Sequence, residues 1–322
     1  MADLVLVASG GGHLEQLKFL EGRIPIDAPR RWITFDTPQS RSMLAGERVT
    51  YVPYVGPRDV RGLLRNVPRA PDLVHPTRTA AVVSTGSGIA LSYLPLAALR
   101  GIPTCYIESA TRVFGPSVTG RALSRVPGVQ LFTQHDRWAD ERWRFVGSVF
   151  EGFECIRRDA ELRTRPVRRI VVSLGTIRSF EFRRLVVRLL ELLPTAAEVV
   201  WQTGSTNVLD LPIEARPEMP HAELLKEMAD ADVVVAHAGT GIALSAFAAG
   251  ICPILVPRRA AYREHVDDHQ MQTARILNAT GLAVVREVGS LGEGDLELAA
   301  SRTVVRRAEA SPFAITSLQR SA

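Results

Sequence analysis

The sequence predicts an α/β protein of two domains, each a doubly wound parallel sheet. Three observations predict it. Runs of Val, Ile and Leu alternate with helix-period patterns, four of the runs end in glycine with small polar residues, and the alternation restarts near residue 168. The length agrees: 322 residues exceed one typical domain of about 100–200.

In chain order, Leu4–Ser9 (LVLVAS) is a continuous apolar run, which suits a strand buried on both faces. Three glycines follow, and then Leu14, Leu17 and Leu20 fall three apart on one helix face. Arg31–Phe35, Val49–Val55 and Ala80–Gly88 read as strands, the last running into a glycine turn. Thr104–Ser109 and Val129–Gln134 complete the first set. The second set opens with Arg168–Thr176, followed by a helix carrying Phe182, Leu185, Val186 and Leu189. Ala196–Ser205 is strand then turn, Ala231–Gly241 is strand, glycine turn and helix start, and Ile251–Arg259 is the next strand. The charged, glycine-poor stretch before Arg168 marks the boundary. The expected organisation is a domain over 1–150, a linker over 151–167 and a second domain over 168–290.

Composition narrows the function classes. Hydrophobic residues make up 46% of the chain, ample for buried cores. The three cysteines, Cys105, Cys155 and Cys252, are scattered, which excludes a paired-cysteine zinc site, argues against a disulfide scaffold and makes a reducing compartment the default. No signal-peptide pattern is visible, and the most apolar later stretch, Ile89–Leu99, is far short of the roughly 20 residues of a membrane span. The net charge of +5 is uneven: residues 1–150 hold 18 basic and 12 acidic side chains, whereas the rest is nearly balanced. A basic first half suits anionic lipid, nucleic acid or a phosphorylated substrate. Nucleic acid is the poorest fit, because no stacking motif or recognised module accompanies the charge. Only Lys18 and Lys226 are lysine; codon usage explains the arginine bias as well as phosphate recognition does.

Four strand ends carry the polar turns: Ser9–His13, Ser84–Gly88, Ser173–Thr176 and His237–Gly241. Ligands of doubly wound sheets bind beyond the carboxyl ends of strands, where glycine lets backbone approach and a helix N-terminus attracts anions. Any single turn could be a bend and nothing more; two per half suit a cleft between facing domains. None carries G-x-G-x-x-G or G-x-x-x-x-G-K-[ST], which excludes the dinucleotide fingerprint and the P-loop. The densest polar cluster is Pro257–Gln270 (PRRAAYREHVDDHQ), either a ligand-facing loop beside the preceding turn or a solvated loop with Asp267 or Asp268 near a helix N-cap. His265 and His269 lack the glutamate of H-E-x-x-H, so no metal is expected there.

These motifs resemble a known family. VVSLGT (171–176), WQTGS (201–205) and the run from Ala231 to Leu277 are similar to the C-terminal, donor-binding domain of family 28-type glycosyltransferases. SGGGHLEQL (9–17), STGSG (84–88), IESATRVFGPSVTGRALS (107–124) and TQHDRWADERW (133–143) resemble the Alg14-like subunit of bacterial exopolysaccharide transferases, whose Alg13-like half is a separate chain. The resemblance covers residues 3–285 and implies a fused GT-B enzyme, two Rossmann-like domains with an interdomain cleft. It also implies that the tail, 291–322, is helical and packs back on the first domain.

Carried over by position, the resemblance puts Gly175 and Thr176 at the donor pyrophosphate and Gly239, Thr240 and Gly241 at a phosphate-binding helix N-terminus beside His237. It puts Arg258, Glu264, Asp268, His269 and Gln270 around the donor sugar. Gly11, Gly12, Gly86, Ser87, Ser109 and Arg112 fall on the acceptor side. Relatives using UDP-GlcNAc have glutamate eight residues after the His237 position, where this chain has Ser245. That departure, with the P-R-x-x-x-x-x-E-H-x-x-D-H-Q pattern, turns the expectation toward glucuronosyl or galactosyl transfer, Arg258 or Arg259 meeting a uronate carboxylate.

The implied reaction is inverting, metal-independent transfer from a UDP-sugar to a lipid-pyrophosphate-linked saccharide, with no cofactor. His13 is the expected general base and Glu108 the alternative; His13 could instead only cap its helix. The acceptor implies a peripheral location on the cytoplasmic face of the plasma membrane. Residues 57–69 place Arg58, Arg61, Arg65 and Arg69 beside Val60, Leu63, Leu64 and Val67, which suits either an interfacial helix on anionic lipid or a solvated one. Two rival classes share the architecture: a UDP-sugar 2-epimerase, and a non-catalytic accessory subunit of a transferase.

Overall fold

The computed structural model describes residues 1–56, 58–158, 166–175, 180–308 and 313, and it divides into two compact units. Met1–Glu151 form the first, to which Phe313 also belongs; Gly152–Ala310 form the second.

In the first unit, the strands are β1 (Asp3–Ala8), β2 (Arg30–Phe35), β3 (Val49–Val52), β4 (Thr79–Gly86), β5 (Thr104–Ile107), β6 (Val129–Thr133) and β7 (Trp143–Phe145). They form one parallel sheet in the order β3-β2-β1-β4-β5-β6-β7. Every residue of β1 is buried, as its unbroken apolar run requires, because helices cover both faces of a central parallel strand. The helices are α1 (Gly12–Leu20), α2 (Pro38–Met43), α3 (Val60–Asn66), α4 (Ala70–Leu73), α5 (Ala90–Leu99) and α6 (Val118–Leu123). Helix α1 buries Leu14, Leu17 and Leu20, the face expected from their spacing. Val5, Val7, Ile33, Phe35, Tyr93 and Tyr106 sit in the core on one side of the sheet. Each such side chain contributes about 1.5–3 kcal/mol relative to its exposed state.

In the second unit, β9 (Arg169–Ser173), β10 (Glu198–Gln202), β11 (Ala215–Arg216), β12 (Val233–His237), β13 (Ile254–Val256) and β14 (Val284–Val285) form a second parallel sheet, ordered β11-β10-β9-β12-β13-β14. Its helices are α7 (Arg183–Leu192), α8 (His221–Ala229), α9 (Thr240–Ala248), α10 (His269–Ala279) and α11 (Glu293–Ala300). Helix α7 buries Leu185, Val186, Leu189 and Leu192 on one stripe, whereas α9 is buried from Thr240 through Phe247 and is apolar almost all round.

Two segments differ in form from their sequence expectation. Within the stretch taken for a linker, Phe153–Arg157 is strand β8, because Phe153 packs on Phe247 and the strand pairs antiparallel with β15 (Arg302–Arg306). Among the described residues of the tail, α11 is the helix expected and β15 follows it, and Phe313 is fully buried in the first unit beneath the Arg23 guanidinium. The expected strand 49–55 ends at Val52, before Pro53.

Candidate functional site

Both sheets reverse their strand order once, and the polar turns found in the sequence sit at those two reversals. In the first unit the neighbours are β1 and β4, followed by Ser9–His13 and by Ser87–Gly88; in the second they are β9 and β12, followed by Leu174–Gly175 and by Ala238–Gly239. The connections that follow the two parallel neighbours there lead to opposite sides of the sheet and open a crevice at the strands' carboxyl ends, the usual ligand position of this architecture.

The first reversal is built around His13, the second residue of α1. Its ring Nδ1 lies 2.7 Å from the Thr85 carbonyl oxygen. A carbonyl only accepts, so the neutral ring carries its proton on Nδ1 and its basic lone pair on Nε2. The Thr85 hydroxyl donates to the His13 carbonyl at 2.7 Å. Gly86, at φ +103°, lies against the ring: a Cβ there would come within 3.2 Å of His13 Cε1 and Nδ1. Ser9 and Ser87 close the crevice floor, the Ser87 amide donating to Ser9 Oγ at 3.2 Å.

The helix end itself is already neutralised. Gly11, at φ +69°, donates its N–H to Gln39 Oε1 at 2.7 Å, and Gln39 in turn donates to the buried carboxylate of Glu15 in the first turn of α1. A carboxylate in that place occupies the positive end of the helix and opposes a second anion. The Gly11 N–H at the start of the helix is thus already engaged by a side chain, with an acidic residue in the same first turn.

Glu108 and Ser109 lie at the end of β5, inside a polar network. Glu108 is 1% exposed, and burial raises its pKa. Tyr106, the Ser109 amide, and the Ser117 amide and hydroxyl all donate to its carboxylate. These contacts tie the end of β5 to the start of α6. Gln16, Gln134 and His135 extend the network and were not singled out from sequence. Gln16 Oε1 accepts from the Ala110 amide and from Gln134, which also donates to the Glu108 carbonyl and accepts the Val149 amide, and His135 Nε2 donates to the Ala110 carbonyl. The available signal was the run of polar residues Gln134-His135 closing an apolar strand. Arg112 is half-buried, and its carbonyl accepts from the Trp138 indole.

The second reversal is built around His237, at the end of β12. Gly175, at φ +78°, packs flat on the ring; a Cβ there would lie 2.5 Å from His237 Cε1, and one on Gly239 would overlap Nε2. Desolvation, with the Arg258 charge adding to it, pushes the His237 pKa down to about 3, so the ring is neutral. Helix α9 begins beside it at Thr240, with Gly239 as N-cap in extended conformation. Thr240 is 3% exposed, and its hydroxyl has no hydrogen-bond partner among the described residues. A buried unsatisfied hydroxyl at a helix N-terminus, beside a glycine loop and a neutral ring, is a favourable anion site. Gly241 is buried in the first turn of α9; Thr176 lies outside the described residues.

The polar cluster 257–270 is a braced frame. Arg258 is 2% exposed and donates to the carbonyls of Leu174, Phe180 and Glu264, while its amide donates to Gln270 Oε1. Its guanidinium thus holds three loops together and is not presented to a sugar carboxylate, contrary to one of the two sequence expectations for a uronate partner. Arg259 is the partly exposed arginine of the pair and lies near Glu287. Glu264 is buried, paired through both oxygens with Arg184, and also accepts the Arg259 amide. Asp268 is the N-cap residue of α10 and accepts from the Ala260 amide; His269 opens that helix. Ser245 is buried in α9.

Residues 169–310 match the glycosyltransferase family 28 C-terminal domain. Over 219 residues the chain is 25% identical to UDP-N-acetylglucosamine--N-acetylmuramyl-(pentapeptide) pyrophosphoryl-undecaprenol N-acetylglucosamine transferase of Cupriavidus pinatubonensis (strain JMP 134 / LMG 1197), a match over 65% of this chain and 59% of that protein. The chain thus matches less than two thirds of the length of this curated relative. Among solved structures, Acinetobacter baumannii MurG superimposes with a TM-score of 0.55 at 20% identity, covering 92% of this chain and 89% of that one. The glycosyltransferase SnogD from Streptomyces nogalater gives 0.59 at 17%, covering 93% of each chain. The fold of both units is the GT-B fold of these enzymes.

Proposed function

We propose that this chain is a glycosyltransferase that moves a sugar, with inversion, from a UDP-sugar to a hydroxyl of a lipid-pyrophosphate-linked saccharide. The observation that carries the reading is the contrast between the two strand reversals: one is an anion-type helix start with an unsatisfied Thr240 hydroxyl, the other a histidine with its lone pair fixed on Nε2. The match of residues 169–310 to a family 28 domain supports the first as donor site, and the named lipid-linked acceptor of the matched transferase supports the second as acceptor side.

In this mechanism the diphosphate sits at the N-terminus of α9, against Gly175 and Gly239, where N–H groups take up the charge of the leaving UDP. His13 Nε2 removes the acceptor hydroxyl proton. The new bond from acceptor oxygen to the anomeric carbon forms as the bond to the diphosphate oxygen breaks, and UDP leaves with the electron pair. His13 then returns its proton to solvent. Glu108, with four donors on its carboxylate, serves the loop that carries Ser109 and Arg112.

For the donor, Ser245 in place of a ribose-gripping glutamate speaks against UDP-GlcNAc, and the 257–270 pattern supports glucuronosyl or galactosyl transfer, with Arg259 as the side chain able to meet a uronate. For the membrane, α3 supports contact with anionic lipid in the setting of exopolysaccharide or other surface-glycan synthesis. It buries Gly62 and Asn66 and turns Val60 and Leu64 outward, at 65% and 59% exposure, beside Arg61 and Arg65, and Val67 just after it is 42% exposed. A solvated helix has no need of an outward apolar stripe. Pro57 lies outside the described residues, and none of the described helices is long and apolar enough to cross a membrane.

The test is incubation of the full chain with a panel of UDP-sugars and lipid-pyrophosphate saccharides. A lipid product longer by one sugar is expected. Conversion of a UDP-sugar without acceptor would point to the epimerase, and donor binding without turnover to the accessory role.

A further inference from the structure

We propose that Thr85 is the positioning residue for His13, clamping it at two points so that Nε2 is presented in one orientation; the proposal rests on the reading of His13 as the base. Thr85 is fully buried at the end of β4. Its carbonyl accepts the ring proton of His13, and its hydroxyl donates to the main-chain carbonyl of the same residue, both at 2.7 Å. The two bonds do different work. The ring bond restrains rotation of the imidazole. The hydroxyl bond ties the first turn of α1, through the His13 carbonyl, to β4. Together they bear on both the place and the direction of Nε2, the condition for a proton transfer that must occur at hydrogen-bond distance.

The neighbouring position fits this role. Gly86 brings bare backbone against the ring, and any Cβ there would press on Cε1 and Nδ1. Residue 85 therefore grips the histidine while residue 86 makes room for it. Serine keeps the hydroxyl, and valine keeps the shape of threonine without it, so the two substitutions separate the clamp from packing.

The experiment uses the purified full chain. With the donor and acceptor found active in the panel, Thr85→Ser should stay within about 3-fold of wild-type kcat, whereas Thr85→Val should lose roughly 10-fold or more in kcat with the donor KM unchanged. Wild-type kcat in Thr85→Val overturns the proposal, as does an equal loss in both variants, which would assign the effect to packing. NMR of the histidine ring nitrogens in the wild-type chain gives a readout independent of turnover and of variant folding. A neutral His13 protonated on Nδ1 is expected, and protonation on Nε2 overturns the clamp. A chain that shows the Nδ1 form but transfers no sugar would leave the clamp standing and remove the function assigned to His13.

Discussion

At the scale of single residues, histidine chemistry differs between the two units. His13→Ala should lower transfer by about 10²–10⁴-fold while UDP affinity, measured by calorimetry, stays at the wild-type value. His237 instead registers in stability. Its folded pKa lies near 3, below the 6.5 of the free side chain, so the unfolded state takes up the proton first as pH falls. The stabilising contribution is complete above pH ~6.5 and is lost progressively toward pH ~3, with a slope of up to about 1.4 kcal/mol per pH unit. Urea unfolding between pH 4 and about 6.5 should therefore show a shallower loss of stability for His237→Asn than for wild type. Thr240→Val should weaken UDP binding without lowering Tm, since it removes a hydroxyl that has no partner among the described residues. The residues that carry turns were legible: SGGGH, SLGT and HAGTG announce themselves by composition at strand ends. Gln16 and Gln134 were not, because the bond that joins them spans 118 positions and Gln16 meets the Ala110 amide 94 positions away. Arg258 misled for the same reason: a short basic run gives no sign that one of its arginines is interior.

At the scale of elements, two segments make sharp expectations. Leu64→Glu on the outward stripe of α3 should abolish flotation with anionic liposomes, yet shift stability by no more than about 0.5 kcal/mol, because the side chain is 59% exposed. Undiminished flotation would remove the lipid role. Gly175→Ala puts a Cβ on the His237 ring at a positive φ. It should cost about 1–3 kcal/mol in thermal unfolding and weaken UDP binding together. Helix-period patterns predicted α1 and α7 well because tertiary packing uses the same apolar stripe that the sequence displays. Strand β8 escaped notice because its residues alternate only weakly, and its partner β15 lies about 150 residues on.

At the scale of the whole molecule, parallel-sheet periodicity and turn spacing were enough for two units, since most strand runs pair with the run next in sequence and the pairings of each parallel sheet stay within one unit. Hydrogen exchange should divide the chain by ligand. UDP should slow amides of 173–175 and 237–241, and an acceptor analogue those of 9–13 and 84–88; protection of the same set by both would argue against separate donor and acceptor sides. The chain also crosses its own domain boundary twice, since Phe313 follows the second unit in sequence yet is buried in the first. One cut therefore cannot yield two self-sufficient pieces. A protein divided after residue 151 would leave Arg23 without its aromatic cover until the other fragment supplied Phe313. Such fragments should behave as a complementing pair, each incomplete alone and active on reassociation.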